Sequence, residues 1–121
     1  MAAVADIEQT LQEAVRAAFA AGAPLAICGS GTKRFYTGSV TGTALAITGH
    51  RGIMSYEPTE LVITARAGTP LAEIETALAA DNQMLGFEPP HFGPTATLGG
   101  TIACNLSGPR RPYAGSARDF I

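Results

Sequence analysis

Apolar positions recur at Ile7, Leu11, Val15, Ala18 and Phe19, a three-to-four-residue spacing that predicts an amphipathic helix over residues 6–21 with Asp6 as its cap. Gly22 and Pro24 end it, as a glycine just past the last turn followed by a proline does. The pattern then turns from periodic to continuous. Leu25-Ala26-Ile27-Cys28 is a short apolar run of the kind a parallel strand covered on both faces requires, and residues 44–47 form a second. Ile53–Tyr56 and Leu61–Ala65 flank Glu57-Pro58-Thr59-Glu60, which predicts a hairpin with Pro58 in its turn. From Pro70 to about Ala80, Leu71, Ile74 and Leu78 share one helical face, with Thr69 as cap and Asp81-Asn82 as the close. The expected fold is α+β: a small, mostly parallel sheet of three strands flanked by helices, with the start of a second, antiparallel subdomain.

Two stretches break this pattern. The segment from Pro94 to Gly108 carries Thr95, Thr97, Gly99, Gly100, Thr101, Asn105 and Ser107 with hardly any charge or bulk. Paired glycines weaken a helix or strand interior by about 0.5–1 kcal/mol each relative to alanine, so the segment is expected to stay bare for a ligand instead of packing. An anion or a flat aromatic group suits exposed amides and hydroxyls. The other stretch, Gly29-Ser30-Gly31-Thr32-Lys33, directly follows a strand and has the makings of a phosphate cradle, although a plain turn would use the same residues. It lacks the first glycine and the Lys-Ser/Thr pair of a Walker A loop. It also lacks the third glycine of a Rossmann fingerprint, and Phe35-Tyr36-Thr37-Gly38 is not expected to begin a helix. Pro89, Pro90 and Pro94 hold open the loop before the glycine pair, and the Phe120-Ile121 end reads as an interrupted strand.

Composition narrows the chemistry. At 121 residues with 46% hydrophobic and 15% charged side chains, the chain suits one globular core. A net charge of −2 argues against nucleic acid as a partner. The first residues include Asp6 and Glu8 and no basic region before an apolar run, so a cytoplasmic location is the expectation. Cys28 and Cys104 are the only cysteines, have no metal-ligand spacing, and are expected to be buried free thiols. Of eight basic residues, Lys33, Arg34, Arg110, Arg111 and Arg118 lie in or just after the glycine-rich segments, whereas Asp119 is the one acid of ten that does. That clustering suits a diphosphate, with a solvated basic edge as the alternative. His50 and His91 stand apart from any nucleophile or carboxylate at catalytic spacing and are expected to be structural.

In order, the Gly29-Ser30-Gly31-Thr32 loop, Gly68-Thr69-Pro70, Gly86-Phe87, Thr97-Leu98-Gly99-Gly100-Thr101 and Gly115-Ser116-Ala117-Arg118-Asp119 span nearly the whole chain. With that order the chain resembles the FAD-binding half of the vanillyl-alcohol oxidase, or PCMH, flavoprotein family, and within it the FAD-binding subunits of glycolate-oxidase type. The resemblance implies that Gly29, Ser30, Gly31, Thr32 and Lys33 hold the FAD pyrophosphate. It also implies that Pro94, Thr95, Thr97, Leu98, Gly99, Gly100, Thr101, Asn105, Gly108, Gly115, Ser116 and Asp119 line the pyrophosphate and flavin. Some members tether the flavin through a His in the first loop or a Cys before the second glycine pair. Thr32-Lys33 and Gly93-Pro94 stand there, so non-covalent FAD is implied.

The same resemblance implies oxidation of a small 2-hydroxy acid such as glycolate to glyoxylate, with hydride passing to the flavin. Electrons would leave to other subunits of a complex, an iron-sulfur subunit among them, through which the protein would be membrane-associated. Family members continue past the Arg118-Asp119 segment. Residues 1–121 are therefore expected to be the N-terminal part of an FAD-binding domain, with a first subdomain at about 1–90 and an FAD-facing segment at 94–119. Alone, such a piece would bind FAD poorly, be inactive, and dimerise through its open sheet edge. Catalytic residues are left unassigned and no metal is implied. The alternative is a non-catalytic nucleotide-binding or subunit-docking module.

Overall fold

A computed structural model describes residues 7–121. Helix α1 spans Glu8–Ala21 and stops where Gly22 turns left-handed at φ 62°, its N–H reaching back to the carbonyls of Ala18 and Phe19. The expected cap, Asp6, lies outside the described residues. The face turned inward runs through Ile7, Leu11, Ala14 and Ala18, while Val15 is exposed and Phe19 is 89% exposed. Ile7 at the start of the helix sits on the loop at Gly49, and the Val15–Phe19 side stays open.

Strand β1 (Leu25–Cys28) pairs in parallel with β2 (Thr43–Ala46), in register Leu25 to Thr43 and Cys28 to Ala46. Strands β3 (Ile53–Glu57) and β4 (Val62–Ala65) form a separate antiparallel pair joined by a 3-10 turn at Pro58–Glu60. The α+β class is as expected, but the sheet is two pairs of strands and not one of three. Nor is β1 covered on both faces: Ala26 is buried, whereas Ile27 is 73% exposed. A continuous apolar run therefore marks a strand here without marking a buried one.

Helix α2 (Arg34–Thr37) is a single turn where the sequence predicts no helix, closed by Gly38. Helix α3 (Leu71–Ala80) buries the predicted stripe, Leu71, Ile74 and Leu78, completely or nearly so. Each such side chain contributes about 1.5–3 kcal/mol by leaving water. Thr69 does not cap this helix; Pro70 stands at the cap position, and the Thr69 hydroxyl donates to the Arg66 carbonyl at 2.6 Å and accepts from the Gly52 amide at 2.9 Å. The hydroxyl thus ties the hairpin exit to the helix entrance.

Helix α4 (Leu98–Cys104) is made from the very segment expected to stay bare. The glycine pair is tolerated because it occupies the first turn, where Thr97 accepts from the Gly100 amide as an N-cap. Helix α5 (Arg111–Ala114) and a 3-10 turn at Ala117–Phe120 replace the strand expected at the carboxyl end. The reason is local: Ser116 and Asp119 form a reciprocal capping box, and Phe120 folds back against Gly86 to stack on Phe87 at 5.7 Å. The core therefore lies between α3, Phe87, Ala96 and Ala117.

Candidate cofactor site

Backbone-to-backbone stacking decides where the glycine-rich segments go. The Ile47 amide continues the parallel ladder onto the Cys28 carbonyl at 2.9 Å, and the Gly68 amide donates to the His50 carbonyl at 2.8 Å. Leu98 N then donates to Thr69 O at 2.9 Å and Gly99 N to Ala67 O at 2.8 Å. The steps at Gly68 and Gly99 need a bare Cα. A Cβ on Gly68 would stand 2.0 Å from the Ile47 carbonyl oxygen, and one on Gly99 would stand 3.0 Å from both the carbonyl oxygen and the Cβ of Ala67. This stack delivers Thr97 to the first loop, where a Cβ on Gly29 would meet its hydroxyl at 2.8 Å.

The two segments meet around a cavity of about 520 Å³. Gly29, Ser30, Gly31, Thr32 and Lys33 line it from one side and Thr97 and Gly100 from the other. Pro94, Thr95, Leu98, Gly99, Thr101, Asn105, Gly108, Gly115, Ser116 and Asp119 are not in its wall. Among them, Gly108 packs on the Glu88 backbone at φ 82°, and Asn105 is the left-handed cap that ends α4. The wall also includes Arg34, from the basic cluster expected to suit a diphosphate, and Cys28, Ala103 and Cys104, which the sequence pattern did not single out for a ligand. Cys104 lies four residues beyond Gly100, hence on the same helical face, a relation legible only once residues 98–104 are known to be helical. Both thiols are free and half-buried, not buried as expected.

The amides of the two segments differ in a way that glycine content hides. In the second segment the N–H groups of Leu98, Gly99, Gly100 and Thr101 all donate within the chain. In the first, none of the backbone N–H groups of Gly29, Ser30, Gly31, Thr32 or Lys33 donates a hydrogen bond among the described residues. Gly31 has φ +76°, which helps successive amides of the turn to share one concave side. Lys33 ends the row. It is 6% exposed, lines the cavity, and has no carboxylate within ion-pair distance among the described residues. An anion in the cavity would give this side chain the counter-charge that the described residues do not supply.

The residues present therefore fit the diphosphate of a dinucleotide at one end of the cavity. The remaining wall, Ala26, Val40, Ala44 and Ala103 among it, is small and apolar enough for a flat ring. The histidines lie elsewhere. His91 meets the Glu75 carboxylate at 3.1 Å, and the His50 ring has a buried Nδ1 without a hydrogen-bond partner. No group of three or more metal-ligating side chains occurs among the described residues, and no described helix is long and apolar enough to cross a membrane.

Ser116 and Asp119 have a structural task. The Asp119 carboxylate accepts from the Ser116 amide at 2.7 Å and from its hydroxyl at 3.0 Å, and the backbone bond above all holds its pKa below the ordinary carboxylate value. A depressed folded-state pKa means that this contribution to stability is complete above the unfolded-state value. It is lost as pH falls through the folded one. Ser116→Ala removes only the hydroxyl, so an NMR titration is expected to move the Asp119 pKa part of the way upward. An unchanged titration would mean that the hydroxyl bond has no influence on the carboxylate.

These features suit a dinucleotide-binding module, and comparison with known proteins gives its class: the chain belongs to the FAD binding domain family, whose model matches residues 1–121. It is 55% identical over 116 residues to glycolate oxidase subunit GlcE of Escherichia coli (strain K12). That alignment takes in 96% of this chain and 33% of the relative, so the chain spans about a third of the relative's length. No solved structure matches it significantly.

Proposed function

We propose that the chain is the N-terminal FAD-binding portion of a 2-hydroxy-acid dehydrogenase subunit that oxidises glycolate to glyoxylate. The observation that carries this is the row of amides from Gly29 to Lys33 that are unpaired among the described residues, ended by the Lys33 side chain on the cavity, in a chain 55% identical to a glycolate oxidase subunit. Gly29 to Lys33 would hold the pyrophosphate, with Ser30 and Thr32 adding hydroxyl donors and Lys33 the compensating charge. Thr97 and Gly100 would form the facing wall. Leu98, Gly99 and Thr101, whose amides are already engaged, would act by shape alone. When bound, FAD supplies the electron acceptor for the oxidation.

Residues 1 to about 90 would form the first subdomain, and from 94–119 the second wall of the site would come from Thr97, Gly100, Ala103 and Cys104. Attachment would be non-covalent, with Thr32-Lys33 in the first loop and Gly93-Pro94 before the glycine pair. The 2-hydroxy acid would be bound by parts of the protein outside this third, and electrons would pass to partner subunits, one of them carrying iron and sulfur. A cytoplasmic location completes the proposal. The test is anaerobic addition of glycolate to the full-length flavoprotein. The expected result is bleaching of the visible flavin band, with all flavin released into the supernatant on acid precipitation. An FAD-loaded protein that glycolate leaves oxidised would overturn the substrate assignment, and yellow colour left in the pellet would overturn the mode of attachment.

A further inference from the structure

A second contact reaches the first glycine loop from the proline-rich loop. Phe35 lies on the single turn α2, two residues after Lys33, and Phe92 lies in the loop before the second glycine segment. Their rings meet edge to face at 5.0 Å and 74°, yet both residues are largely exposed, at 70% and 52%. Burial therefore does not explain the pairing. Phe92 also has φ +52°, a conformation uncommon for a bulky residue, and Gly93 follows at φ +135°, where a Cβ would touch the Thr32 methyl at 3.4 Å. Backbone held in a sparsely populated region beside a ligand loop points to a functional constraint.

We infer that Phe92 is a positioning residue for the candidate anion cradle. Through Phe35 it fixes α2, and α2 fixes the carbonyl of Lys33, which accepts from Tyr36 N at 3.0 Å and Thr37 N at 3.3 Å. With nothing within the described chain hydrogen-bonded to the amides of residues 29–33, this outside contact and the α2 turn join the Arg34 amide on the Gly31 carbonyl and Thr97 against Gly29 in holding the row in shape before an anion arrives. Preorganisation of that kind raises affinity by lowering the ordering cost of binding. The inference deepens the FAD reading and rests on it for the identity of the anion, but the positioning itself does not depend on FAD.

The test compares the full-length protein with its Phe92→Ala, Phe35→Ala, double and Phe92→Tyr variants. Amide hydrogen exchange without ligand reads the positioning directly: faster exchange at Tyr36 and Thr37 is expected in Phe92→Ala, with protection restored in Phe92→Tyr. Titration with FAD is expected to show Kd raised about 2- to 10-fold in either alanine variant, the range an aromatic pair contributes. The double variant should be no weaker than the weaker single. The thermal midpoint without FAD should stay close to that of the unsubstituted chain. Unchanged exchange at Tyr36 and Thr37, or FAD effects that simply multiply, would overturn the inference. Absence of FAD binding by the unsubstituted full-length protein, with the exchange effects present, would instead overturn the FAD reading and leave the positioning standing.

Discussion

Lys33→Gln is expected to weaken FAD binding about 10- to 100-fold, with the apo protein no less stable than before. Hydrogen bonds that involve a charged group contribute about 1.5–3 kcal/mol, and each 1.4 kcal/mol is a factor of ten in Kd. The apo expectation has its own cause. Lys33 has no carboxylate partner among the described residues, so removing its charge breaks no described ion pair. The neighbouring Arg34, exposed at the same cavity, is the control; Arg34→Gln should lose several-fold less. Flavin fluorescence titration measures both, and differential scanning fluorimetry without FAD reads the stability. Equal losses at the two positions would show that the loop attracts the ligand through general charge and not through a specific ammonium. A destabilised apo Lys33→Gln would show that the lysine has a role in the fold.

Gly68→Ala is expected to cost about 3–4 kcal/mol or to prevent folding altogether, the upper end of what overpacking does. The added methyl would meet two main-chain oxygens, Ile47 O at 2.0 Å and His50 O at 2.6 Å, and neither can swing aside as a flexible side chain does. Moving them breaks the Gly68 to His50 hydrogen bond and, one layer on, the seats of Ala67 and Thr69 that receive Gly99 and Leu98. The cavity should therefore be lost together with the stability. Gly22→Ala provides the contrast. Its φ of +62° makes a side chain strained, but nothing lies within 4 Å, so about 1 kcal/mol is expected. Urea unfolding followed by far-UV circular dichroism separates the two. A Gly68→Ala protein as stable as Gly22→Ala would mean that the loops at 47–50 and 66–69 are not stacked as described.

Gly68 also shows how a residue can be read for the wrong reason. In the sequence it is a strand-ending glycine before Thr69-Pro70; the strand ends at Ala65 instead, Gly68 lies in the turn beyond it, and the demand for glycine comes from the earlier loop at Ile47 and His50. Thr69 is similar. A threonine before a proline-led helix predicts a cap, but the nearby carbonyl of Arg66 and amide of Gly52 outcompete the helix for its hydroxyl. Phe120 reads in the sequence as part of a strand and instead stacks on Phe87, because the Ser116–Asp119 box starts a turn just before it. In each case a local preference gave way to a partner distant in sequence.

What the sequence alone determined is what short-range periodicity and turn chemistry control: helices α1 and α3, the strand pair around Pro58, the apolar stripe Leu71-Ile74-Leu78, and the family that the order of glycine motifs indicates. Only the tertiary structure decided which glycines face a ligand and which face the protein. As strings of glycine and hydroxyl residues, the two segments are alike. In the fold, the segment at 97–101 is drawn onto Ala67 and Thr69 and its amides are consumed, while the loop at 29–33 keeps its amides unpaired among the described residues, beside Lys33. A missing Cβ lets any backbone approach closely, and sequence carries no mark of whether the approaching group is a cofactor or the chain itself.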